Sequence, residues 1–143
     1  MTIIEHDGVA RQTSNGPKSP WPDWVPLPQG AKLTVRAWYA DAPGHPGIGF
    51  GDLKLARTPE ADIAALKHRL AAEGWTVTTS LLRTSSPKLP PRLLVMCSVR
   101  GVREGPDRTV DFAFQLQPQI ETRVFWTNGP PPPTWGQQPG PGC

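Results

Sequence analysis

The side chains of this 143-residue chain that are suited to acid–base or metal chemistry are few and scattered. Its three histidines, His6, His45 and His68, lie far from one another and from the two cysteines. No spacing resembles a zinc site, and the HExxH, GxSxG and P-loop patterns are absent. The sequence therefore predicts neither a metal site nor a cofactor.

The one polar constellation near a flexible segment is Asp41, His45 and Asp52, which bracket the Gly/Pro-rich stretch DAPGHPGIGFGD. A histidine beside carboxylates suits general acid–base catalysis. Solvated loop residues explain the same pattern, so an enzyme using this loop is an alternative and not the leading hypothesis. The glycines of this stretch indicate a loop that leads into a strand, because no helix N-terminus follows to receive a phosphate.

The two cysteines are too few to indicate a disulfide framework. Cys97 lies in an apolar segment and is expected to be a buried thiol. Cys143 follows the sequence PGPG and is expected to be exposed, where it is able to pair with Cys143 of a second chain.

The clearest local signal is an amphipathic helix that begins at Thr58 and ends at Gly74. Thr58 suits the N-cap, and Pro59 suits the first helical position. Ile63, Leu66 and Leu70 form one apolar stripe, and Gly74 suits a Schellman-type cap. This helix has to pack on a sheet, because so short a helix is marginal in isolation.

Alternation of apolar and polar residues predicts strands around this helix. The predicted order is β-β-α-β-β-β-β, and hairpin-length connections favour antiparallel neighbours. We therefore expect an α+β fold, a two-layer sandwich in which one helix packs on one face of an antiparallel sheet. The predicted strands are 32–40, 50–56, 75–82, 92–100, 109–116 and 120–126, of which the very apolar 92–100 is expected to be central.

Both ends of the chain are expected to be irregular. Residues 1–28 form a Pro/Trp-containing arm, 29–128 the α+β domain, and 129–143 a Pro/Gly-rich, disordered tail. Trp21 and Trp24 of the arm are expected to attach it to the folded body, because exposed indoles are costly. The alternative is that they anchor a partner protein.

The sheet face that the helix leaves uncovered is expected to carry apolar side chains such as Trp38 and Phe125, which usually indicates a partner. The arm, a second protomer or a ligand are expected to cover it, in that order of preference. The residues predicted to bind a partner are Trp21, Trp24, Trp38, Met96, Arg100, Arg123 and Phe125.

The segments LPQGA at 27–31, TPE at 58–60 and LAAEGWTV at 70–77 resemble a class of small bacterial α+β domains. That class combines a strand, a helix ending in Gly-Trp and an antiparallel meander, often in envelope or lipoprotein contexts and without an assigned activity. The resemblance implies a fold and no functional residues. This chain departs from the class because it shows no leader peptide or lipobox cysteine.

The function predicted from these features is a non-enzymatic module for protein interaction or self-association. The alternative is a sheet-face nucleic-acid binder, in which Arg36, Arg100 and Arg123 bind phosphates beside stacking aromatics. The net charge of +3 and the interleaved acids make that less favourable. With no apolar segment long enough to cross a membrane and no signal peptide, we expect a cytoplasmic protein.

Overall fold

A computed structural model describes residues 2–6, 9–13, 21–39, 43–44, 46–85, 93–117, 122–131 and 142–143. Within these residues the chain is an α+β protein with a single helix. In chain order the elements are β1 (Thr2–His6), β2 (Val9–Thr13), β3 (Lys32–Tyr39), β4 (Ile48–Lys54), α1 (Pro59–Ala72), β5 (Thr76–Ser85), β6 (Leu93–Arg103), β7 (Arg108–Gln117) and β8 (Thr122–Thr127).

Strands β3 to β8 form one open antiparallel sheet with the spatial order β3-β4-β8-β7-β6-β5. α1 packs on one face, against β5, β6 and β7. The predicted fold class is therefore confirmed. The apolar strand β6 lies next to the edge strand β5, and the middle of the sheet is formed by β8 and β7.

The signals at the ends of α1 act as predicted. The Thr58 hydroxyl accepts a hydrogen bond from the Ala61 amide, and Gly74 adopts a positive φ of 86° after the last turn. The Trp75 amide then donates to the Leu70 carbonyl at 3.0 Å. The apolar stripe is buried, with Leu70 fully enclosed. No helix in the described part of the chain is long and apolar enough to cross a membrane.

The rest of the helix-side face is covered by residues 21–31, which the sequence divided between the arm and the domain. Trp21 and Val25 are buried, and the Trp21 ring packs edge-on against Trp126 at a centroid distance of 6.1 Å. Trp24 stacks on Trp75, also at 6.1 Å. The tryptophans thus attach this segment to the body, as the first of the two interpretations predicts, and they cover the face that carries α1.

The hairpin β1–β2 was not predicted, because the arm was expected to be irregular. Its strands pair from Thr2 with Thr13 to His6 with Val9. The intervening Asp7-Gly8 is a strong sequence signal for a two-residue hairpin turn. The hairpin is a separate two-stranded sheet in which β2 lies beside β3.

The prediction that Trp38 points away from the helix is wrong. The register between β3 and β4 shifts between Val35 and Ala37, so that Arg36 is an extra, bulged residue. Such an insertion moves the following side chains to the opposite face. Trp38 is consequently paired with Gly49 on the helix side and is only 5% exposed.

The expectation of a free buried thiol at position 97 is also wrong. Cys97 forms a disulfide with Cys143, with a Cα–Cα distance of 5.9 Å. The Cys143 amide donates to the Thr79 hydroxyl at 3.2 Å, and the Lys67 ammonium donates to the Cys143 main-chain oxygen at 2.7 Å. Cys143 is therefore half-buried between α1 and the sheet and not exposed. Residues 132–141 of the predicted tail lie outside the described residues.

Candidate functional site

The sheet face opposite α1, which we call the outer face, is the surface that the described helix leaves uncovered. Cross-strand partners share a face, so the register identifies its members. Phe50 pairs with Ala37 and Phe125, and Phe125 pairs in turn with Asp111. By this register, the outer face carries Tyr39, Ile48, Phe50, Leu82, Leu94, Met96, Arg100, Asp111, Ala113, Arg123 and Phe125.

One half of the outer face, on β3, β4 and β8, is aromatic. Tyr39 is 52% exposed and Phe50 is 45% exposed, which is unusual for rings on two adjacent strands. Ile48 pairs with Tyr39, and the half-buried Phe125 pairs with Phe50. This group, Tyr39, Ile48, Phe50 and Phe125, is called the aromatic patch below.

The other half, on β5 and β6, carries a smaller aliphatic group. Leu82 is 42% exposed and pairs directly with the half-buried Met96. Leu94 follows on the same face of β6. Apolar side chains therefore occur at both sides of the outer face, which is a pattern typical of interaction surfaces when the surrounding residues are polar.

Two charged pairs lie on the outer face, Arg36–Asp52 on β3 and β4 and Arg100–Asp111 on β6 and β7. The Arg100 guanidinium donates to Asp111 Oδ2 through Nε at 3.2 Å and Nη2 at 3.1 Å. The Arg36 Nε donates to Asp52 Oδ2 at 2.6 Å. Arg123 is exposed and lies across the strand pair from Asp52. These three arginines are thus accompanied by carboxylates on neighbouring strands.

Among the described carboxyl groups, Asp111 has the pKa that its surroundings shift most clearly. Burial raises the pKa of Asp111 above its ordinary value of 3.8, although the adjacent Arg100 charge and its hydrogen bonds act to lower it. The side chains of Arg100 and Asp111 are 12% and 18% exposed. A salt bridge at this depth is costly to desolvate and is weak evidence for stability.

On β7 and β8, the outer face is closed at one end by main chain. The Thr109 hydroxyl donates to the Gly129 carbonyl at 2.9 Å, and the Thr127 hydroxyl donates to the Gly47 carbonyl at 3.0 Å. Both threonines are buried. On β7 and β8 the accessible part of the face therefore begins at the next row of side chains, Asp111 and Phe125. On β3, Tyr39 lies in the same row as these threonines and is exposed.

Four of the seven residues predicted to bind a partner lie on the outer face: Met96, Arg100, Arg123 and Phe125. Trp38 does not, because of the bulge at Arg36. Trp21 and Trp24 lie on the helix side, where Trp24 contacts Trp75 and Trp126. The structure thus places four of the predicted residues on one face of the sheet and the three predicted tryptophans on the opposite face.

Three exposed apolar members of the face, Phe50, Tyr39 and Leu82, were missing from the predicted set. Phe50 was assigned to the very start of a strand that follows a glycine-rich loop. The structure begins β4 at Ile48, inside that predicted loop, so Phe50 is a strand residue with neighbours on both sides. The sequence signal for Phe50 is the alternation of apolar and polar residues in β4, once it is extended two residues towards the N-terminus, to Ile48.

The Asp41–His45–Asp52 constellation is described only in part. Asp41 and His45 lie outside the described residues, and the Asp52 carboxylate is held by Arg36 on the outer face. No group of three or more His, Cys, Asp or Glu able to hold a metal occurs within the described ranges. Catalysis by this loop stays a prediction.

A separate groove of about 430 Å³ lies between α1 and residues 27–29. Leu66 and Asp62 form part of its lining. Asp62 is fully buried and paired with the Arg57 guanidinium at 2.6 Å. Its carboxylate therefore has no surface to offer a ligand, and the groove provides a weaker candidate site than the outer face.

Comparisons with known proteins do not indicate a function. The chain matches no protein-family model, no curated protein and no solved structure. The resemblance to small bacterial α+β domains consequently stays a prediction, and a function has to be inferred from the surface of this molecule.

Proposed function

We propose that this chain is a non-enzymatic interaction module that binds a protein through its outer face. The observation that carries the proposal is Phe50, a phenylalanine that is 45% exposed in the interior of the sheet. It lies beside Tyr39 and Phe125 and is bordered by the Arg36–Asp52 and Arg100–Asp111 pairs. An aromatic centre with a polar border is the usual anatomy of a protein-binding surface.

The charge distribution favours a protein over a nucleic acid. Phosphate binding requires cations whose charge is available, since affinity for nucleic acid arises largely from neutralising phosphates. Arg100 and Arg36 each have a carboxylate within 3.1 Å. The nucleic-acid alternative predicts that the protein is retained on a polyanion resin in a salt-sensitive way, and that the double variant Arg100→Ala with Arg123→Ala is retained less. The pairing of the Arg36 and Arg100 charges with carboxylates argues against such retention.

The compartment is a second part of the proposal. The sequence predicts a cytoplasmic protein, whereas a disulfide such as Cys97–Cys143 persists mainly in oxidising compartments. We therefore propose that the folded form acts in an oxidising environment. Alkylating free thiols in intact cells and then measuring the mass of the protein tests this. Two alkylated cysteines would support the cytoplasmic prediction instead.

Two matched variants test binding through the outer face. Phe50→Lys places a charge in the aromatic patch, and Ala64→Lys places the same charge on the exposed side of α1. Partners that co-purify with the wild-type chain from its native source would be identified and re-tested as purified proteins. Phe50→Lys is expected to weaken binding by about 2 kcal/mol or more, as for a central anchor. Equal binding by both variants would contradict the proposal.

A further inference from the structure

Two arginines face each other at the end of the sheet where β6 turns into β7. Arg103 is the last residue of β6 and Arg108 is the first of β7, and the register pairs them directly across the two strands. Direct cross-strand partners lie on the same face of a sheet. Because Arg103 contacts Trp75 and Arg108 contacts Trp24, that face is the helix side and not the outer face.

Each guanidinium lies over an indole ring. The Arg103 Cζ is 5.2 Å from the centroid of the Trp75 ring, and the Arg108 Cζ is 4.8 Å from the centroid of the Trp24 ring. The two rings are themselves stacked, with centroids 6.1 Å apart. A contact of this kind holds a guanidinium in place without using its N–H donors. The stacked tryptophans therefore position two cations on neighbouring rings.

The charges of these two arginines are not neutralised within the part of the chain that the structure describes. Neither guanidinium forms an ion pair with a carboxylate there. The nearest acids along the chain, Glu104 and Asp107, belong to the connecting turn, and their side chains are exposed. Both arginines are half-buried, so salt screens their mutual repulsion less than it would on an open surface. Like charges directly opposite one another destabilise a strand pair, and a bound anion would remove that cost.

A buried donor adds to the positive potential at this place. The indole N–H of Trp75 is buried and has no hydrogen-bond acceptor among the described residues. It belongs to the ring over which Arg103 lies. Buried polar groups usually have a partner, so an unpaired one calls for an explanation. The uncompensated positive end of this N–H dipole favours negative charge near the guanidinium.

We propose that Arg103 and Arg108 bind a doubly charged oxyanion, the phosphate or sulfate group of a small ligand. Two fixed positive charges match two negative ones, and the planar fork of guanidinium donors fits oxygens of such a group. The Trp24 ring already contacts Trp75, Trp126 and Arg108, so recognition is of the anion and not of an aromatic ring stacked on Trp24.

This inference goes beyond the outer-face proposal, because the site lies on the other side of the sheet and takes a small anion. Two arginines provide for a single anionic group, whereas a nucleic acid requires an extended basic surface. Phosphate and sulfate share the chemistry that the site recognises, and separate titrations distinguish them.

The test is a titration of the full-length wild type with sodium phosphate, sodium sulfate and sodium acetate, at an ionic strength held constant with sodium chloride. Calorimetry measures the affinity, and NMR follows the arginine Nε–H and indole N–H signals. We expect saturable binding of phosphate or sulfate, with the largest shifts at Arg103, Arg108 and Trp75. Acetate carries a single charge and is expected to bind at least about tenfold more weakly.

Substitutions identify the groups that bind the anion. Arg103→Gln and Arg108→Gln each remove one of the two charges and are expected to weaken binding of the dianion at least about tenfold. Arg83→Gln removes the charge of an exposed arginine on β5 and is the matched control, with an unchanged affinity. The NMR titration of the wild type decides the matter if either site variant fails to fold.

Three results would overturn the inference: no saturable binding of either dianion by the wild type, an equal affinity for acetate, or a loss of affinity in Arg83→Gln as large as in Arg108→Gln. Phe50→Lys is expected to bind the dianion as the wild type does. A failure of anion binding would therefore leave the outer-face proposal standing.

Discussion

Gly49 and Trp126 are cross-strand partners in contact on the helix side of the sheet. A β-carbon added at Gly49 would lie 2.5 Å from the indole Nε1 of Trp126. The glycine at position 49 is therefore explained by packing, because the indole of Trp126 occupies the space of a side chain. This contact also fixes the register of β4 against β8, and thereby the outward direction of Phe50.

Gly49→Ala is expected to destabilise the protein by about 1–3 kcal/mol, because the rigid indole cannot yield without repacking. Chemical denaturation measures the change. Trp126→Phe removes part of the indole, so the cost of Gly49→Ala should be smaller in the Trp126→Phe background. Strictly additive costs in this double-mutant cycle would show that the contact is not the cause.

Breaking the Cys97–Cys143 bond is expected to lower the free energy of unfolding by about 2–4 kcal/mol, since the bond closes a long loop of the unfolded chain. Cys143→Ser and chemical reduction of the wild type should have similar effects, measured by urea denaturation with and without a reductant. Cys143→Ser itself should be insensitive to reductant. A wild type whose stability is unchanged by complete reduction would contradict the assigned role of this bond.

Trp24→Ala is expected to cost about 3 kcal/mol, because Trp24 stacks on Trp75, packs edge-on against Trp126 at 5.8 Å and lies under the Arg108 guanidinium at 4.8 Å. Thr34→Ala on the outer side of β3 serves as the control and should change stability little. If Trp24→Ala were as harmless as the control, residues 21–31 would be an arm and not part of the body.

Asp111 is expected to give stability an unusual dependence on pH. Because its native pKa is raised above 3.8, the native state binds more protons than the unfolded chain between these two pKa values. The contribution of Asp111 to the free energy of unfolding is therefore larger below 3.8 and is lost as the pH rises through the native pKa.

The comparison with Asp111→Asn isolates this contribution. Urea denaturation of both proteins between about pH 3 and about pH 7 should show that the stability of the wild type relative to Asp111→Asn falls as pH rises. A relative stability that instead increases with pH would mean that Arg100 lowers the native pKa of Asp111, contrary to the effect of burial.

The parts of the fold that were predictable depend on local signals. Thr58, Pro59 and Gly74 define the ends of α1 through the conformations that those residue types favour, and alternation identified the six strands of the main sheet. The dipeptide Asp7-Gly8 carried a similar local signal in the sequence for the β1–β2 hairpin, which the proline content of the following residues concealed.

The parts that were missed depend on contacts between distant residues. A one-residue bulge at Arg36 has no compositional signature, yet it moves Trp38 from the outer face into the core. The partner of Cys97 is 46 residues away, and only the path of the chain brings Cys143 to it. The outer face was predicted through Phe125 and Met96, whereas the exposed ring of Phe50 needed the observed start of β4.

Site-specific photocross-linking is a direct test of protein binding through the outer face. A benzoyl-phenylalanine at position 50 samples the centre of the outer face, and the same group at position 64 samples the exposed side of α1 as a matched control. We expect that a partner protein is captured from position 50 and not from position 64 in the cells that naturally produce the chain. Capture at position 64 alone, or the same products from both positions, would contradict the assignment of the outer face as the binding surface.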